Sequence, residues 1–300
     1  MLSFPSSFIS TPIFSILLIT MKTFLAIIFF SATSFCQTYT FDFSFGKFQK
    51  ASSFYLNSAG FLFITDSGND KLYKYDTLGT YVIETGGYGW KEAAFDNPID
   101  VFATPLNIYV ADKNNHRIER FDKDLNFISQ LSTRESENRD EQFGYPLGCT
   151  TSTQGDLFIL DSENKRVIKF DLFGNFIQNF GGMDAGSFSL SNPAHLSVSA
   201  SAKTFVTDGK DIIVFDNYGN GLSKLETGLD LKGMKINFSF LTINTDSEIY
   251  FADLSVPEFE LRKVNMIGLD YKPGFVTSIM QKNKIYVLTE KEILVFTSIK

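Results

Sequence analysis

Short apolar runs, each closed by an acid and followed by a polar turn, recur along the chain. Leu62-Phe63-Ile64-Thr65-Asp66 returns as Ile108-Tyr109-Val110-Ala111-Asp112 and again as Leu157-Phe158-Ile159-Leu160-Asp161. Fainter copies end at Asp208 and Asp253, and a last one ends at Thr289 in place of the acid. The acids stand 46, 49, 47 and 45 residues apart, with Thr289 another 36 further on. Runs of this length suit strands, and the stretches between them show no helical period.

Each strong copy continues alike. Asn follows the acid by three residues (Asn69, Asn115, Asn164), a base by five (Lys71, Arg117, Arg166) and an aromatic by nine (Tyr75, Phe121, Phe170). A second acid stands at ten, as Asp76, Asp122 and Asp171. The pattern predicts a strand, a turn whose Asp and Asn side chains bond local amides, and a returning strand. Gly79-Thr80, Gly174-Asn175 and Gly219-Asn220 mark a second turn into an outer strand. Ahead of each hairpin a strand opens at Asn97-Pro98, Tyr145-Pro146 or Asn192-Pro193, where a missing donor is tolerated. Four short strands per unit and six units predict an all-β fold, a six-bladed β-propeller of four-stranded antiparallel blades over residues 37–300. The alternating Thr38-Tyr39-Thr40-Phe41-Asp42-Phe43 is expected to return as the outer strand of the last blade and close the ring.

Residues 1–36 read differently. No Asp or Glu precedes Asp42, and Met21-Lys22 leads into an apolar run over 24–30 and a small, polar stretch ending at Ser34-Phe35-Cys36. This is the layout of a cleaved signal peptide with its cut before Gln37, and Met21 offers an alternative start. An uncleaved anchor over 13–30 would bury Lys22 near mid-span at roughly 2.5–3.5 kcal/mol. Acylation of Cys36 would want a small residue where Phe35 stands. The expectation is an exported monomer, periplasmic, cell-surface or extracellular, with no integral membrane span after processing and with Cys149 packed as a small apolar residue.

Charge narrows the partners. Lys and Arg number 27 against 34 acids, a net charge of −7, so the chain has no basic field to gather nucleic acid. The 33 Phe and 12 Tyr predict a core built largely from buried aromatics.

The strand ending in Ala-Asp or Thr-Asp, with the following Asn, Arg and Phe-Asp, resembles the NHL-repeat family, strongly over residues 52–182 and more weakly over 192–297. The resemblance implies a propeller but leaves activity open, because the family includes RNA-binding modules, protein-binding modules and an amidating lyase. It also implies that partners bind on the face carrying the hairpin turns and the connections between blades.

Recurrence around a ring makes Asp66, Asp112, Asp161, Asp208 and Asp253 structural turn acids, with Lys71, Arg117 and Arg166 pairing to such acids at the surface. Residues that break the repeat are better candidates for function. Tyr88 and Trp90, the latter the chain's one Trp, sit in Gly86-Gly87-Tyr88-Gly89-Trp90-Lys91, a setting suited to gripping a sugar ring or peptide side chain. The connections between blades are unequal, another being Gly181-Gly182-Met183-Asp184, and the charged one over 134–141, with balanced signs, is read as a solvated loop. Counting back from the hairpin acids puts Ser53, Asp100, Gly148, His195, Phe240 and Val276 at one inner-strand position near the channel mouth. Asp100 and His195 stand out there as polar, and as a pair they could serve as base and orienting acid or as two metal ligands.

The predicted ligand-binding set is therefore Tyr88, Trp90, Asp100 and His195, with no metal or cofactor. The function read from it is a binding or scaffold module for a protein or glycan. Its rival is a lyase, lactonase or glycan-active hydrolase working in the channel through Asp100 and His195. With His116 placed in a hairpin turn, a zinc site would need unusual carboxylate ligation. Phosphate loops and nucleophile elbows are absent from the sequence.

Overall fold

The structure, a computed structural model, describes residues 37–299 except residue 257. The expected signal peptide lies outside the described residues. The remainder forms six sheets, each built on four antiparallel strands, arranged as the blades of a propeller. Blade one runs Ala51–Leu56, Phe61–Asp66, Lys71–Asp76 and Tyr81–Gly86, from inner to outer strand. Blade two runs Pro98–Ala103, Asn107–Asp112, Arg117–Asp122 and Phe127–Leu131. Blade three has Gly148–Thr151, Leu157–Asp161, Arg166–Phe170 and Phe176–Phe180, and blade four Pro193–Val198, Thr204–Asp208, Asp211–Phe215 and Gly221–Glu226. Blade five has Gly233–Asn237, Phe240–Asn244, Ile249–Asp253 and the short Arg262–Lys263.

Blade six closes the ring as its sequence suggests. Thr38–Phe45 pairs antiparallel with Ile293–Ser298, outside Lys284–Thr289 and the inner Phe275–Gln281. A fifth strand, Asn265–Ile267, runs parallel to Thr38–Phe45 and covers the edge that the closing strand would expose. Tyr39 is fully buried among Ile249, Val264, Phe275 and Phe296, so closure is secured by packing as well as by ladder bonds. The aromatic core is distributed between neighbouring blades, with Phe54, Phe63, Phe95, Phe121, Phe158, Phe170, Phe205 and Phe215 all buried.

The second acid of each repeat closes the turn into the outer strand, on the far face. Asp76 accepts from the Leu78 and Thr80 amides at 2.9 and 2.8 Å, and Asp171 from Phe173 and Asn175 at 2.8 Å each. Asp122 and Asp216 repeat the arrangement. Asp253 belongs to this second class. It ends the third strand of blade five and accepts from Ser255 N at 2.9 Å, which corrects its assignment as a hairpin acid. The hairpin position of blade five is Asn244, fully buried, whose Nδ2 donates to the Thr245 and Val276 carbonyls at 3.0 and 3.4 Å.

Candidate functional site

The true hairpin acids do more than cap a turn. Asp66 accepts from Gly68 N at 3.0 Å within its turn, and also from Gln49 N and Lys50 N, both at 2.8 Å, in the segment entering the blade. Asp112 holds Asp96 N at 2.8 Å, Asp161 holds Gly144 N at 3.1 Å, and Asp208 holds the amides of Ser191 and Asn192. Each carboxylate thus fastens the start of its blade's inner strand to the hairpin. Asp66, Asp112 and Asp161 are fully buried in doing so.

The bases also depart from the surface role expected of them. Lys71 turns to Glu84, whereas Arg117 is buried and Arg166 nearly so. Arg117 Nε donates to Asp112 Oδ2 at 2.8 Å, and its guanidinium donates to the carbonyls of Trp90, Lys91 and Ala94 at 3.0, 3.0 and 2.5 Å. Asn115 holds the Gly89 carbonyl at 2.8 Å, and Glu119 accepts from Ala93 N at 3.3 Å while facing Arg117 at 3.2 Å. Gly86 bends this loop at a φ of 115°, and a Cβ there would lie 2.5 Å from the Asp70 carbonyl. Desolvation pushes Glu119 up to about 7 against the pull of Arg117, and raises Asp112 in the same sense. Arg166 grips the connection before blade three in the same way, through the carbonyls of Arg139 and Gln142, both at 3.0 Å.

The result is a fixed loop with free aromatics. Tyr88 and Trp90 are 73% and 74% exposed although the main chain on either side is fastened. Rings carried on a fixed main chain cost less entropy to bind than rings on a mobile loop, which is what a recognition surface needs. His116 lies in the adjacent hairpin turn, where its Nδ1 accepts from Tyr145 N at 3.0 Å, so it joins blades two and three.

Asp100 and His195 lie in another place, the channel, and the structure does not bring them into one cavity with Tyr88 and Trp90. They line a pocket of about 70 Å³ together with Ser53, Met234, Lys235 and Thr277. Inner-strand bulges in blades one, two, four and six place Ser53, Asp100, His195 and Thr277 in equivalent registers. Phe240 therefore gives up the channel position assigned to it by counting, while Val276 lines the pocket beside Thr277, which takes the equivalent register. Asp100 Oδ1 accepts from Ser53 Oγ at 2.6 Å and from Lys235 Nζ at 2.5 Å, and its Oδ2 accepts from Cys149 N at 3.2 Å. Gly148 permits that approach, since a Cβ there would sit 3.2 Å from Asp100 Oδ2.

Lys235 is not legible by counting, since twelve or thirteen residues before Asp253 fall on Leu241 and Phe240. The signal that could have found it is Leu241-Thr242-Ile243-Asn244, an apolar strand with Asn in the acid's place. Desolvation drives His195 down to about 4, with the Asp100 charge opposing and the Lys235 charge assisting. A neutral imidazole, a carboxylate and an ammonium therefore meet in the channel, with space for little more than water-sized groups. Cys149 is buried beside them, its thiol raised well above the usual range first by desolvation and then by Asp100. Among the described residues, no group of three or more His, Cys, Asp or Glu is placed to hold a metal, and no helix is long and apolar enough to cross a membrane.

No family model matches the chain. It is 32% identical over 149 residues to protein brain tumor of Drosophila melanogaster, 48% of this chain and 14% of that protein. It is 32% identical over 148 residues to the B-box type zinc finger protein ncl-1 of Caenorhabditis elegans, 48% of this chain and 17% of that one. The match thus spans about a sixth of the length of these curated relatives. Among solved structures, virginiamycin B lyase from Staphylococcus aureus superposes with a TM-score of 0.57 at 14% identity, over 84% of this chain and 81% of that one. A streptogramin B lyase superposes with a TM-score of 0.58 at 12% identity, over 84% and 80%. At such identities the likeness shows the six-bladed fold alone.

Proposed function

We propose that this chain is an exported NHL-type propeller that binds or scaffolds a protein or glycan through the face carrying Tyr88 and Trp90. The observation that carries the reading is the pair of exposed rings on a loop whose carbonyls are held by the buried Arg117. Trp90 is the chain's one Trp, so its own emission reports the contact. The full chain should be screened on glycan and peptide arrays, and each hit titrated against Trp90 emission. Trp90→Ala, which removes the reporter and is therefore followed by calorimetry, is expected to weaken binding by about tenfold or more, as truncation of a central aromatic anchor does, with the melting temperature unchanged. Binding that ignores both Trp90→Ala and Tyr88→Ala would overturn the reading. Export is tested separately by N-terminal sequencing of the secreted protein, which should begin at Gln37; a chain that keeps residues 1–36 refutes cleavage.

The second reading, a channel enzyme, rests on the meeting of Asp100, His195 and Lys235 and on the likeness in fold to virginiamycin B lyase and streptogramin B lyase. A pocket of about 70 Å³ would admit only a substituent of a substrate, not its body. Turnover of a lyase or lactone substrate that is lost in Asp100→Asn, but kept in Trp90→Ala, would favour the enzyme over the binding module.

A further inference from the structure

The opposite end of the channel differs in chemistry. Its mouth is a cavity of about 280 Å³ lined by Tyr55, Phe102, Val198, Ile236 and Phe238, with Asn237 among them. No Asp, Glu, Lys, Arg or His contributes to its wall. The Tyr55 and Phe102 rings meet at 4.7 Å, and the Tyr55 hydroxyl donates across the channel to the Ile236 carbonyl at 3.2 Å. Asn237 is 4% exposed, and its Nδ2 has no hydrogen-bond partner.

Blade five breaks the repeat at this mouth. Blades one to four join their first two strands through turns capped by Asn57, Thr104, Ser152 and Ser199, which accept main-chain amides ahead of them. Blade five replaces that turn with two residues, Phe238 and Ser239, between Gly233–Asn237 and Phe240–Asn244. Phe238 adopts a φ of 54°, a region that Gly or Asn enters with less strain, and its ring stands 56% exposed at the rim. A tight turn alone does not call for a bulky aromatic in that conformation.

We propose that this far-face mouth binds a small, uncharged, ring-bearing molecule that presents a hydrogen-bond acceptor. The volume suits one or two rings. An ionised ligand would lose its hydration here with no opposite charge to meet it. An acceptor on the ligand would give the buried Asn237 amide the partner it lacks, and the aromatic wall supplies faces for stacking.

The probe is acetanilide, titrated into the full chain by calorimetry and by saturation-transfer NMR, with benzoate and benzylammonium as charged counterparts. Saturable acetanilide binding is expected, with either charged probe weaker by about tenfold or more. Ala200→Trp, at an exposed rim position, should block entry and abolish binding, and Phe238→Ser should weaken it by roughly threefold or more. Both variants change exposed residues, and unchanged melting would confirm that they fold. Absence of saturable binding, equal binding by Ala200→Trp, or equal affinity for benzoate would each overturn the proposal. A capped Gly-Phe-Gly peptide binding far more tightly than acetanilide would assign the mouth to a protein side chain and refute a small-molecule site.

Discussion

Blade two and blade five build the same sheet from opposite materials. Blade two carries the full repeat: Asp112 and Arg117 are buried as an ion pair, Glu119 is buried beside them, and the three fasten the loop that presents Tyr88 and Trp90. Blade five has lost the acid and the base. Asn244 stands in the acid's place, Gly233 packs where a Cβ would come within 2.5 Å of the Val276 carbonyl, and the outer strand shrinks to Arg262–Lys263. The blade with charged anchors positions a surface loop, whereas the blade without them sends its charge inward as Lys235. The two meet across the channel, where Lys235 closes on Asp100 of blade two. A repeat therefore conserves the ladder more strictly than the polar network, and the network is free to do different work in each blade.

The largest difference should appear on removing the hairpin group. Asp112→Ala takes from the buried Arg117 its hydrogen-bonded carboxylate and leaves it facing Glu119 alone, and loss of one partner from a buried pair costs about 3–5 kcal/mol. Asn244→Ala removes neutral hydrogen bonds and should cost about 1–2 kcal/mol. Denaturant melts of the two variants test this contrast, and equal losses would show that Arg117 finds its compensation elsewhere. Because Arg117 also holds the Trp90 carbonyl, Asp112→Ala should loosen the aromatic loop as well, seen as faster quenching of Trp90 emission.

Next in size is a pH dependence specific to blade two. Glu119 has a folded value raised to about 7 from 4.5, so the folded state holds the proton more tightly than the unfolded chain. This group penalises folding least below about pH 4.5 and most above pH 7, so its effect on stability falls as pH rises through that window. The span is on the order of 3 kcal/mol. Glu119→Gln should flatten the slope between pH 5 and 8 and stabilise the protein at pH 8. A variant whose stability still falls with the wild-type slope would mean that another group, such as Asp112, carries it.

How much of this was legible depends on where the repeat held. Period, strand endings and turn residues sufficed for six blades and for closure by residues 38–45, because hairpins and edges impose local patterns. In blade five, the same pattern matching took Ile249–Asp253 for the second strand. Both strands are short apolar runs with a polar end, and only pairing with Gly233–Asn237 decides which comes first. That shift concealed Lys235 and put Phe240 in the channel. The roles of Arg117 and Arg166 were invisible for another reason: they act on carbonyls some two dozen residues away, whose approach depends on the loop's path rather than on its residue types. Asp100 and His195 did emerge from the sequence as polar intruders, but the narrowness of their pocket is a property of the closed ring.

The finest comparison uses His195 as a gauge of the charges that the two blades contribute. Its imidazole is held down to about 4 chiefly by desolvation, which neither Asp100 nor Lys235 sets alone. Superimposed on that are two opposed charges, Asp100 favouring the protonated ring and Lys235 disfavouring it. Removing each charge should therefore move the titration in opposite directions. Lys235→Met takes away the repelling ammonium and should raise the His195 value, and Asp100→Asn takes away the attracting carboxylate and should lower it, each by up to about one unit. The double variant should return near the starting value, since the pair acts on the ring largely as a dipole. Imidazole resonances followed by NMR across pH 3 to 8 would read all four proteins, with His116 as an internal reference outside the channel. Shifts of the same sign in both single variants would mean that the substitutions act by opening the pocket to water, and that desolvation, not the charge pairing of blades two and five, governs the channel.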